Sequence, residues 1–84
     1  VTWRIEVRPA ALRALRRIDK KTQPRIQGAI AMLAVDPRPP ASRPLRGRDA
    51  YRLRVGDYRI IYTLDNEVLL IVVVTLGHRR DIYD

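Results

Sequence analysis

Nine consecutive residues, "VLLIVVVTL" at 68–76, carry no charge in an 84-residue chain of which 31% is charged. The run is apolar on both of the faces a strand would present, so both must be covered. It is far too short to cross a bilayer as a helix. It therefore reads as the central strand of a sheet inside one small domain, residues 1–84. A domain of this size buries only about two-thirds of the surface its unfolded chain exposes, so its stability margin is thin. There is no cysteine, which excludes disulfides and thiolate metal sites.

The flanking patterns supply the rest of the sheet and its cover. "TWRIEVRP" alternates, with Trp3, Ile5 and Val7 on one face and Arg4, Glu6 and Arg8 on the other, as a half-buried strand does. Pro9 ends it and suits the first turn of a helix. In that helix Leu12, Leu15 and Ile18 recur at helical spacing. Thr22 is the candidate cap of a second helix, in which Ile26, Ala29, Ile30 and Leu33 form the apolar stripe and Asp36-Pro37 is the stop. Residues 37–44 hold four of the six prolines and read as a stiff connector. Strands at 51–55 and 58–64 precede the one at 68–76. The expectation is an α+β fold in the order β-α-α-β-β-β, a two-helix hairpin packed on a mainly antiparallel four-stranded sheet.

Charge narrows the function. Lys plus Arg number 17 against 9 Asp plus Glu, a net +8, and 15 of the 17 are arginine. Residues 1–37 carry +5, residues 38–59 another +5 and residues 60–84 carry −2, so the density peaks in the middle segment. Arginine's planar fork binds phosphate and carboxylate bidentately, which favours an anionic partner. The opening "VTWRIEVRP" has no apolar signal core. A cytoplasmic location without membrane contact is expected.

The hairpin "YRLRVGDYRIIY", residues 51–62, lies in that segment. A two-residue Gly56-Asp57 turn, with glycine supplying a positive φ, leaves one register. Val55 then faces Tyr58, Arg54 faces Arg59 and Leu53 faces Ile60. Alternation puts Tyr51, Leu53, Val55, Tyr58, Ile60 and Tyr62 on the core face, and Arg52, Arg54 and Arg59 together on the other. Like charges directly opposite each other destabilise a hairpin. Splaying into water, or pairing with Asp57 and Asp65, would relieve them; so would an anion held between them, such as a phosphodiester. The last strand returns beside the same turn and ends in "GHRRDIYD", which brings His78, Arg79, Arg80 and Tyr83 to that corner. Basic groups beside an aromatic ring are a common means of holding single-stranded RNA.

The order of elements, "PLRG" at 44–47, the hairpin and the ending "GHRRDIY" together resemble the RelE/ParE superfamily of bacterial toxins, and within it the RelE branch. The resemblance spans essentially the whole chain. It implies the RelE-like RNase fold and a toxin of a type II toxin–antitoxin system, cutting messenger RNA in the ribosomal A site beside small-subunit rRNA. No metal or other cofactor is implied. The 2′-hydroxyl would attack the adjacent phosphorus and the 5′-oxygen of the next nucleotide would leave. Carried over position by position, the site is Arg52, Arg54, Arg59, Arg79 and Tyr83. Arg52 and Arg59 would stabilise the phosphorane, Arg79 would sit by the leaving oxygen, and Tyr83 would stack on or orient a base. The implied partner is a RelB-like antitoxin, with operator DNA bound only through the antitoxin complex.

One departure concerns the base. The positions of Arg52 and Arg54 are often lysine in relatives, and the second is the proposed general base. A guanidinium, with a pKa above about 12, does not deprotonate in proteins. Either His78 takes the proton, or the site works by charge stabilisation and positioning alone. Rival readings are a ParE-like gyrase inhibitor, a nucleic-acid-binding module without chemistry, and a degenerate toxin that still binds its antitoxin.

Overall fold

A computed structural model describes residues 2–47 and 49–82. Strand β1 (Arg4–Val7) leads into helices α1 (Pro9–Arg17) and α2 (Gln23–Leu33), followed by strands β2 (Ser42–Pro44), β3 (Ala50–Val55), β4 (Tyr58–Asp65) and β5 (Leu70–His78). The sheet order is β1-β5-β4-β3-β2, with β1 parallel to β5 and every other pair antiparallel. The α+β class and the helix hairpin are as expected, but the sheet has five strands rather than four. The fifth comes from the proline-rich connector. Pro44 has no N–H to donate, which an edge strand tolerates, and β2 is the edge beyond β3. The Ser42 hydroxyl donates to the Pro39 carbonyl at 2.7 Å and secures the bend before it.

Pro9 sits in the first turn of α1, as its fixed φ favours. The buried stripe of α1 is Ala11 and Leu15, continued by Ile18 at its C-terminal cap, and Leu12 is left 38% exposed. The small Ala11 lets the helix lie close on the sheet, and that turns Leu12 outward. In α2, Ile26, Ile30 and Leu33 are buried and Ala29 packs beside them, as the spacing predicts. Thr22 stands at the cap position but makes no cap bond with its side chain. Its N–H and its hydroxyl both donate to Asp19 Oδ2, at 3.1 and 2.9 Å, so Asp19 organises the loop. Gln23 Nε2 donates to the Ile18 carbonyl at 2.7 Å and ties the two helices. No helix among the described residues is long and apolar enough to cross a membrane.

The core lies between the helices and one face of the sheet. Leu53, Ile60, Tyr62, Ile71, Val73 and Leu76 supply the sheet side, and Trp3, Ile5 and Val7 pack at its β1 end. The long apolar run starts two residues later than expected: Val68 is 60% exposed, and Leu69 turns through φ 52° before β5 begins. β5 is interior, but the middle strand is β4. Between Ile61 and Tyr62 the β4–β5 register slips, from Ile61↔Thr75 to Tyr62↔Val73, leaving Val74 as the extra residue of a β-bulge.

Candidate active site

The hairpin register is the expected one: Val55 pairs with Tyr58, Arg54 with Arg59 and Leu53 with Ile60. Gly56 adopts φ +59°, as the tight turn requires. Cross-strand partners share a face, so two rows run across the side of the sheet away from the helices. One row is Arg54, Arg59 and Gly77; the next is Arg43, Arg52, Ile61 and Thr75. Four arginines from three strands therefore converge where the sequence placed three. Arg43 escaped sequence reading because it lies among prolines, on a strand whose only signal was an arginine and a serine between them.

The cluster is electrostatically stressed. Burial first, then the charges of Arg59, Arg43 and Arg54, hold the Arg52 guanidinium below the ordinary arginine range. Arg43 Nη1 donates to the carbonyls of Pro40 and Ser42, at 3.0 and 2.9 Å, which holds it over the β2 edge. A further cation approaches from the helix layer: Arg25 Nη1 lies 3.1 Å from where a β-carbon on Gly56 would be. Beside the arginines the floor is apolar, with Leu45, Ala50 and Ile61 buried and Ile82 packed over them.

The chain end returns to the turn as the topology predicts. The Arg79 N–H donates to the Asp57 carbonyl at 2.7 Å. Its side chain approaches Asp57 Oδ1 at 3.9 Å with both groups mostly exposed, an ion pair of small energetic worth. Arg80 is turned back on His78, donating from N–H and Nε to His78 Nδ1 at 3.3 and 3.2 Å. Tyr83 lies outside the described residues.

His78 is not brought to the arginines. It pairs with Tyr58, and its ring meets the Tyr58 ring edge-on at 5.5 Å and 75°. Tyr58 packs on the core, so His78 is on the helix side of the sheet. The bulge is the reason. Before it, Ile71 and Val73 point to the core; after it, Leu76 does. The extra residue shifts the parity of β5, carrying His78 to the helix side and Gly77 to the arginine side.

The tyrosines of the core face pack as expected. Tyr51 and Tyr62 stack at 5.7 Å and 22°, and the Tyr62 hydroxyl donates to the Pro37 carbonyl at 2.7 Å. Arg38 lies over the Tyr51 ring at 5.4 Å, and its Nε donates to the Tyr51 hydroxyl at 3.0 Å. Among the described residues no group of three His, Asp or Glu side chains is placed to hold a metal ion. Chemically, the arginine face can bind a phosphodiester and stabilise added negative charge on it.

Known proteins share this architecture. The model of a family described as the ParE toxin of type II toxin–antitoxin systems matches residues 5–83. A putative RelE-like toxin protein of Escherichia coli is 30% identical over 87 residues, covering 98% of this chain and 90% of that protein. A chain in the archaeal RelE–RelB complex of Pyrococcus horikoshii OT3 is 28% identical with a TM-score of 0.84, over 94% of this chain and 97% of that one. One in the RelBE2 toxin–antitoxin complex of Mycobacterium tuberculosis shares the fold with a TM-score of 0.83 at 23% identity, covering 94% and 100%. With the family match running through both helices and all five strands, the chain belongs to the ParE toxin family of type II toxin–antitoxin systems, within the RelE/ParE superfamily.

Proposed function

We propose that this toxin is a ribosome-dependent endoribonuclease that cuts messenger RNA in the A site and so arrests translation. The observation that carries the reading is the convergence of Arg43, Arg52, Arg54 and Arg59 on one sheet face. Four cations are kept together although their mutual repulsion opposes it, and an RNA phosphate relieves that repulsion. In the reaction the 2′-oxygen attacks the adjacent phosphorus and the 5′-oxygen of the next nucleotide leaves. The products are a 2′,3′-cyclic phosphate and a 5′-hydroxyl. Arg52 and Arg59 stabilise the extra charge of the phosphorane, and preorganised donors of this kind are worth about 10²–10³ in rate each. Arg79 offsets charge on the leaving 5′-oxygen, which takes up a proton from solvent to become the 5′-hydroxyl, and Tyr83 orients a base.

No general base is assigned to the chain. A guanidinium such as that of Arg54 does not serve as a base in proteins, and His78 faces the helices with Nδ1 engaged by Arg80. The 2′-hydroxyl proton passes to solvent, and the site acts by positioning and charge stabilisation. A RelB-type antitoxin neutralises the toxin, and its acidic or amphipathic segment folds onto the basic surface. Operator DNA is reached only through that complex, and the site of action is the cytoplasm.

The rival reading, a gyrase inhibitor, draws on the ParE description of the matching family. One experiment separates the two. The chain is expressed alone, messenger 5′ ends are mapped in translating cells, and the mapping is repeated with Arg54→Ala/Arg59→Ala. A-site cuts that vanish in the double variant support the nuclease. Growth arrest with no such cuts rejects it in favour of gyrase inhibition.

A further inference from the structure

Gly77 sits inside β5, where glycine ordinarily weakens a strand. Its φ is not in the left-handed region, unlike those of Gly47 and Gly56, so the backbone does not demand glycine here. Space does. A β-carbon on Gly77 would lie 3.3 Å from both Cδ1 and Cγ1 of Ile82, closer than ordinary van der Waals contact. Ile82 occupies the hollow that the missing side chain leaves, and from there it reaches the buried patch of Leu45, Ala50 and Ile61.

The placement matters because Gly77 is the cross-strand partner of Arg59. The segment after β5 leaves the sheet at His78 on the helix side and comes back over the arginine side at Ile82. Two backbone bonds shape the reversal, from the Arg79 N–H to the Asp57 carbonyl at 2.7 Å and from the Asp81 N–H to the His78 carbonyl at 2.8 Å. Neither bond fixes how closely the segment lies on the sheet. The Ile82–Gly77 contact does.

We infer that Gly77 and Ile82 form a seat that positions the C-terminal strap, residues 79–82, against the Arg54–Arg59 row, holding Arg79 in register with the arginine cluster. Both are positioning residues: they act through Arg79, and the inference rests on the nuclease reading for its effect on rate. Widening the seat lets the strap drift; filling it lifts the strap. Either displaces Arg79, and a misplacement of about 1 Å can cost on the order of 10²-fold in rate.

The test uses the full chain and ribosomes programmed with a defined messenger, comparing Ile82→Ala, Gly77→Ala, the double variant and Ile82→Val. Ile82→Ala and Gly77→Ala each lower kcat about 10-fold and leave KM within about 2-fold. The double variant is no slower than the slower single, because both changes break one contact. Ile82→Val, which keeps Cγ1, stays within about 2-fold of the parent. Hydrogen exchange supplies the second arm: the Arg79 and Asp81 amides exchange about 10-fold faster in the two alanine variants, while those of Leu53 and Ile60 do not change. Additive losses in the double variant, or unchanged exchange at Arg79 and Asp81, overturn the seat. Faster exchange with undiminished kcat overturns its positioning role. A parent that cuts no messenger, with exchange still faster in the variants, rejects the nuclease reading and upholds the seat.

Discussion

Arg59 and Ile60 are chain neighbours on β4 that meet opposite surroundings. Ile60 is fully buried under the helices, among Leu53, Tyr62, Val73 and Leu76. Arg59 is on the face away from the helices, between Arg54 and Gly77. One face is filled with apolar volume, and its polar groups find partners: Tyr62 reaches a carbonyl and Arg38 reaches Tyr51. The other gathers Arg43, Arg52, Arg54 and Arg59 from three strands, and their mutual repulsion opposes that convergence. On the proposed reading, stability resides on the helix face and activity on the arginine face, with β4 shared between them.

The sharpest way to break this division is to substitute both neighbours. Ile60→Ala removes a fully buried side chain and costs about 2–5 kcal/mol, a large part of what a domain this size has. Arg59→Ala lowers the urea midpoint far less than Ile60→Ala does and cuts A-site cleavage about 10²–10³-fold. Equal losses of stability in the two variants would dissolve the distinction between the faces.

How far this division was legible in the sequence depends on the signal each element carries. The hairpin was fully legible, because a two-residue turn and strict alternation leave one register, and that register puts Arg52, Arg54 and Arg59 together. Strand β2 was hidden because proline argues against strands, and the edge exception needs knowledge of which strand lies beside it. With β2 went Arg43. The bulge at Val74 was hidden for a different reason: a run that is apolar on both faces has no parity to read, so a slip of one residue leaves no trace in its pattern. That slip decides the face of His78. The C-terminal strap's return to Asp57 followed from strand direction alone, whereas its seat on Gly77 depends on side-chain packing.

A milder probe on the helix face is Tyr62→Phe. It removes the donor to the Pro37 carbonyl and costs about 1–2 kcal/mol at neutral pH. Burial raises the Tyr62 pKa above its ordinary value near 10. The folded chain thus holds this proton to a higher pH than the unfolded chain does. The resulting stability is complete below the unfolded value and is lost as pH rises through the folded one. Urea midpoints measured upward from pH 9 fall in the parent and fall less in Tyr62→Phe. The matching probe on the other face is Arg52→Gln. It relieves a guanidinium disfavoured by burial and by three neighbouring arginines. Cleavage is lost, while the melting temperature stays within about 2–4 °C of the parent, the scale of a change of about 0.5 kcal/mol in a domain this size. A larger fall in melting temperature would mean that Arg52 supports the fold rather than the site.

The smallest expected effect is the most discriminating, because it falls on the residue whose chemistry best suits a base and whose position does not. His78 has the only side chain in the sequence that ordinarily titrates near neutrality. The Val74 bulge turns it toward Tyr58, and Arg80 occupies its Nδ1. His78→Ala therefore leaves A-site cleavage within about 2-fold of the parent, far from the 10²–10⁴-fold that a lost general base costs. The pH–rate profile carries the same distinction. If the 2′-hydroxyl gives its proton to solvent, the rate climbs with pH through the histidine range without levelling near about 6.5. A plateau there that disappears in His78→Ala would place the histidine in the reaction and require the end of β5 to turn over when RNA binds.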